Sequence, residues 1–137
     1  MNIKKSKTIG FYIYSYYQAK DVLSATKNLN ILTYLVFRYY LVNNLGMNWI
    51  KEISKLLIKD FNNQKFEIIL DCKDNPALAI NAIRYGFYCI KFNGNNILKK
   101  KITNIGIKHN IIINPKIKII DLKKIKNCNI YVSKIIA

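Results

Sequence analysis

Apolar positions along the chain fall into two alternating patterns. Short β-branched and aromatic runs read as strands over Thr8–Tyr14, Ile31–Phe37, Phe66–Leu70, Phe87–Phe92 and Asn110–Ile113. Between them, apolar residues recur at three- and four-residue spacing, which predicts helices. Ala19–Asn28 offers Val22, Leu23 and Ala25 for a buried side, and Ile97–Lys108 offers Leu98, Ile102 and Ile105. The clearest helix starts from Asn48 as a cap. Trp49, Ile50, Ile53, Leu56, Leu57 and Phe61 form its apolar stripe, with Lys51, Glu52, Lys55, Lys59 and Asp60 on the other face. Asn75-Pro76 opens a further helix with a cap followed by proline in the first turn. It carries Leu78, Ala79, Ala82 and Ile83 and stops at Gly86.

The run Ile31–Phe37 is almost wholly apolar, which indicates burial on both faces of a strand. Strand–helix alternation with such burial predicts an α/β fold of parallel βαβ units with right-handed crossovers. Neither a linker nor a repeat divides the sequence, so residues 1–137 read as one domain. The pattern weakens after Pro115. Lys116–Ile120 and Cys128–Val132 suit strands, and whether residues 116–137 join the sheet or form an extension stays open.

Composition changes this picture mainly through charge. Lys and Arg number 23 against 7 Asp and Glu, a net +16, while Ile, Lys and Asn number 26, 21 and 18. All three have A/T-rich codons, so base composition explains much of the charge without a nucleic-acid partner. Cys72, Cys89 and Cys128 form neither a Cys-x-x-Cys pair nor a metal-ligand spacing, which fits a reducing compartment. No uninterrupted apolar run approaches the ~18 residues a bilayer span requires. The basic start followed by Ile9–Tyr17 has four tyrosines in its apolar part and no small-residue cleavage site, so it does not read as a signal peptide. The expectation is a cytoplasmic or organelle-matrix protein with no membrane partner and no cofactor.

One stretch carries a resemblance. Glu67–Asn93 places Leu70-Asp71, Ala82-Ile83 and Gly86-Phe87 at the offsets found in the third strand, third helix and fourth strand of class II, zinc-dependent fructose-bisphosphate aldolases. Ile31–Phe37, Gly46 and the following helix resemble that family's second strand, loop and helix. The similarity covers about residues 10–113, the first half of a (β/α)8 barrel. It implies a half-barrel-like open sheet of about five parallel strands. The same stretch also resembles a small uncharacterised α-proteobacterial family with a Leu-Asp-Cys core.

Carried over residue by residue, the resemblance puts Asp71 at the catalytic acid, Cys72 in place of the first zinc-ligand histidine, and Asn93 where the family often has Asp. His109 falls at no ligand position, and the strands supplying further ligands and phosphate-binding glycines have no counterpart. A zinc site needs three or four ligands together, so the expectation is a non-catalytic protein without metal. Asp71, Cys72 and Asn93 are its candidate ligand-binding residues, and a small metabolite or a protein is the partner. Plainer readings stand beside these: Asp71 or Asp74 caps a turn, with Asn75 the better cap, Cys72 is a small buried thiol, and Cys89 is core. An altered lyase using Asp71 and Cys72 is a further alternative.

Two features bear on nucleic acid. Tyr12, Tyr14 and Tyr16 alternate along the first strand, near Tyr17, Tyr39 and Tyr40, a set suited to stacking bases or covering a sheet face. Lys99, Lys100 and Lys101, with Lys123, Lys124 and Lys126, are the strongest basic runs and suit phosphate attraction in an RNA- or ribosome-associated protein. Solvated helix faces under the codon bias explain them equally. About five parallel strands cannot close a barrel, so the sheet edges need covering by the C-terminal segment or by a second copy in a homodimer.

Overall fold

The structure is a computed structural model that describes residues 7–136; the start of the chain weighed above as a targeting segment lies partly outside it, at residues 1–6. The elements run β1 (Lys7–Ile13), α1 (Tyr16–Thr26), β2 (Ile31–Phe37), α2 (Tyr39–Leu45), α3 (Met47–Asp60), β3 (Phe66–Asp71), α4 (Pro76–Arg84), β4 (Cys89–Lys91), α5 (Asn96–Lys108), β5 (Ile112–Ile113), β6 (Ile119–Asp121) and α6 (Cys128–Ile136). All six strands belong to one parallel sheet in the order β5-β4-β3-β2-β1-β6. The α/β fold of parallel units is therefore as the alternation predicts, with one strand more than the five expected. No helix among the described residues is long and apolar enough to cross a membrane.

Strands β1 to β5 advance across the sheet in one direction. Right-handed crossovers then put every connecting helix on the same face. The packing follows: Phe11, Leu35, Leu70 and Ile90 from the strands share one large core with Val22, Leu23, Ile50, Leu57, Ala79, Ala82 and Ile102 from the helices. Strand residues of the other parity, Val36, Ile69 and Cys89, form a separate small cluster on the opposite face.

That second face is covered by the chain itself. Residues 114–118 link β5 to β6, which lie at opposite margins of the strand order. Six Cα steps from Ile113 to Ile119 reach about 22 Å at most, whereas five strand spacings across a flat sheet need about 24 Å. The sheet must curl, and the strap crosses its concave side. Ile117 packs there on the Val36–Ile69–Cys89 cluster, and the Gly10 N–H donates to the Lys118 carbonyl at 2.8 Å. A Cβ at Gly10 would lie 2.9 Å from Ile117 Cδ1, so a larger residue there would make the Ile117 side chain shift against the sheet.

The C-terminal segment departs from expectation in two ways. Lys116–Ile120 gives only the short β6, which joins the sheet beside β1 and covers that edge without a second copy. Cys128–Val132 is not a strand but the first part of α6, whose Cys128 and Val132 recur at helical spacing and pack into the large core beside α1. Elsewhere Tyr39–Leu45 forms a helix that the pattern does not announce, and α3 begins at Met47 after Gly46 (φ +82°), one residue before the proposed Asn48 cap. Asn75 does cap α4: its Oδ1 accepts the Leu78 N–H at 3.1 Å. Replacing Asn75 with alanine is expected to cost about 1 kcal/mol, read as a lower urea midpoint at unchanged slope.

Candidate functional site

Parallel sheets present ligands at the carboxyl ends of their strands, where the loops diverge and backbone groups are left open. Here the strand ends of β1 to β4 converge on a cleft of about 400 Å³, lined by Tyr12, Arg38, Tyr39, Tyr40, Asp71, Lys73, Lys91 and Asn93. Register explains the assembly. Asp71 is paired with Lys91 across β3 and β4, and Tyr12, on the concave face of β1, is paired with Val36 of β2, two residues before Arg38. The connection from β2 turns at once into α2, which places Tyr39 and Tyr40 on the rim.

Arg38 organises the floor. Its guanidinium carbon sits 4.3 Å from the Tyr12 ring centroid and 5.9 Å from that of Tyr14, within cation–π range. Its Nη1 lies 3.7 Å from Asp71 Oδ2. Asp71 Oδ1 accepts the Lys73 N–H at 3.1 Å, an Asx turn that helps hold Lys73 at φ +50°. Lys91 Nζ donates to the Tyr12 hydroxyl while standing 4.9 Å from that ring's centroid, so it lies off the oxygen end of the ring and not over its face. Lys73 Nζ is 5.6 Å from the Tyr39 centroid.

The charges lining the cleft do not cancel. Arg38, Lys73 and Lys91 face a single carboxylate, Asp71, for a formal net of +2. Among the described residues only Arg38 of the three forms an ion pair. Beside the cleft, the Tyr14 hydroxyl donates to Asp121 Oδ1 at 2.6 Å. Burial and then that hydrogen bond hold its phenol well above the ordinary range.

Of the residues expected from sequence, Asp71 and Asn93 line this cleft together. Cys72 does not. It follows Asp71 on the opposite side of the chain, fully buried in the helix-side core, and burial followed by the Asp71 charge pushes its thiol up to about 12. Its thiol is therefore closed off from the cleft that Asp71 lines. His109 is exposed at the end of α5, and among the described residues no group of three or more His, Cys, Asp or Glu side chains could hold a metal ion. The residues present do not fit the zinc that an aldolase resemblance implies.

Lys99, Lys100 and Lys101 are exposed on α5, and Lys123, Lys124 and Lys126 are exposed in the connection after β6. None lines the cleft, although the β6 connection leaves the sheet at the same carboxyl-terminal end. The alternating tyrosine row is broken: β1 ends at Ile13, so Tyr12 faces the cleft while Tyr16 starts α1 and packs on the large core. Arg38, Lys73 and Lys91 went unnoticed in the sequence. Their signal was a charged side chain at or just beyond the end of an apolar strand run, the same feature that marked Asp71. No protein-family model matches this chain, and no curated protein matches it.

Proposed function

We propose that this protein binds a small anionic metabolite, without turning it over, in the cleft at the strand ends. The observation that carries the reading is the convergence of Arg38, Lys73 and Lys91 on a concave site with one opposing carboxylate. Such a site attracts a phosphate or carboxylate by charge, and charge-assisted hydrogen bonds fix it. Asp71 is committed to structure, one oxygen on the Lys73 N–H and the other toward Arg38, and this supports binding over catalysis. An ancestry shared with aldolase half-barrels belongs to the same reading. It is supported by the parallel strand order and by a carboxylate at the end of β3.

Calorimetric titration with inorganic phosphate and with phosphorylated and carboxylated metabolites tests this. Lys91→Met is expected to weaken the best anion about tenfold or more, the loss of a hydrogen bond to a charged group. Replacing Lys99, Lys100 and Lys101 together with glutamine is expected to leave the affinity nearly unchanged. Equal weakening by both variants would mean that a +16 protein attracts anions over its whole surface, and the cleft reading would fall.

A further inference from the structure

The cleft has two chemistries, and a bare anion uses only one. Its floor is cationic, whereas its rim is aromatic: Tyr39 and Tyr40 open α2 at the edge of the site. Two of the three tyrosine rings already have cationic neighbours, Tyr12 with Arg38 stacked at 4.3 Å and Tyr39 with Lys73 at 5.6 Å. Tyr40 differs. It is 46% exposed and leans on Tyr14 with centroids 5.8 Å apart and planes tilted by 36°, which steadies the ring and leaves much of it open.

Resting on the anion-binding reading above, we propose that the ligand is a nucleoside monophosphate, with its phosphate on Lys91, Lys73 and Arg38 and its base against Tyr40. The net +2 of the cleft matches a phosphate monoester, which carries about −1.5 to −2 near neutral pH. The volume of about 400 Å³ lies at the lower end of small-molecule sites, roughly 300–1,000 Å³. That suits one nucleotide rather than a strand. An exposed tyrosine is sequence-tolerant as a stacking platform because every base has a π-face. Asn93, exposed beside Lys91, brings a carboxamide able to donate to and accept from a base edge or a sugar hydroxyl. This also gives a role to Tyr40, which anion binding alone leaves idle.

The experiment compares AMP, UMP, ribose 5-phosphate and inorganic phosphate by calorimetry on the full chain at physiological salt. Both nucleotides are expected to bind about tenfold or more tightly than ribose 5-phosphate, the share carried by stacking. Tyr40→Leu is expected to remove that preference while leaving ribose 5-phosphate affinity as it was, which also reports that the variant is folded; Tyr40→Phe keeps the preference. Nucleotides and ribose 5-phosphate binding equally would overturn the base contact and leave the anion site standing. Failure of all four to bind would overturn both.

Discussion

Truncation of Phe11 to alanine is expected to destabilise the protein by about 3–5 kcal/mol. Phe11 sits in the middle of β1, paired with Leu35 of β2 on one side and Ile120 of β6 on the other, and it is fully buried in the helix-side core. Its ring cannot be replaced by a neighbour's movement, because strand backbones hold both flanks in register. Domains of this size commonly have about 5–15 kcal/mol in total, so the variant stands near the edge of folding at 37 °C. Urea unfolding checks this directly; a loss below about 1 kcal/mol would mean that β1 is not the centre of the packed core.

The second large effect is alkaline. Cys72 and Cys89 are buried on opposite faces of the sheet, and burial pushes both thiols from 9.0 up to about 12. Negative neighbours, Asp71 and Glu67 respectively, add to the rise. Above pH 9 the unfolded chain releases protons that the folded chain keeps, so the stability present below that pH is lost as it climbs toward 12. At about 1.4 kcal/mol per pH unit, each thiol withdraws up to about 4 kcal/mol. Unfolding measured at pH 8, 9 and 10 is expected to show a falling free energy. Cys72→Ala and Cys89→Ala should each flatten the slope, whatever they cost at pH 8. A slope unchanged in both variants would show that other groups carry the loss.

How far the sequence led depends on whether the deciding contacts are local. Asn75-Pro76 and Gly86 bound α4 through their own backbone preferences, and the alternation of apolar runs was enough for the α/β class. Where tertiary packing decides, the pattern misled. Cys128–Val132 is β-branched and aromatic enough for a strand, yet only the α1 surface, more than a hundred residues away, makes it a helix. Tyr39–Leu45 is equally silent, since its tyrosines and Val42 lean toward a strand by propensity while packing, with Val42 buried, makes it a helix. The site was half legible. Asp71 and Asn93 were visible as strand-end polar residues, but Cys72 shares that position in sequence and points the other way, a distinction set by residue parity at the strand end. Arg38 and Lys91 belonged to a chain so rich in positive charge that two more cations carried no signal until register placed them on either side of Asp71.

The position of β6 has a consequence for synthesis of the chain. β1 is made first, yet one of its edges receives its partner only when residues 119–121 appear, and α6 settles on α1 later still. While the ribosome works through the middle of the sequence, the nascent chain offers the open edge of β1, flanked by Ile9, Phe11 and Ile13, to any strand that passes. Unpaired edges of this kind template misassembly. Residues 119–136 thus act as a closing clasp, and a chain that stops short of them leaves one edge of β1 uncovered.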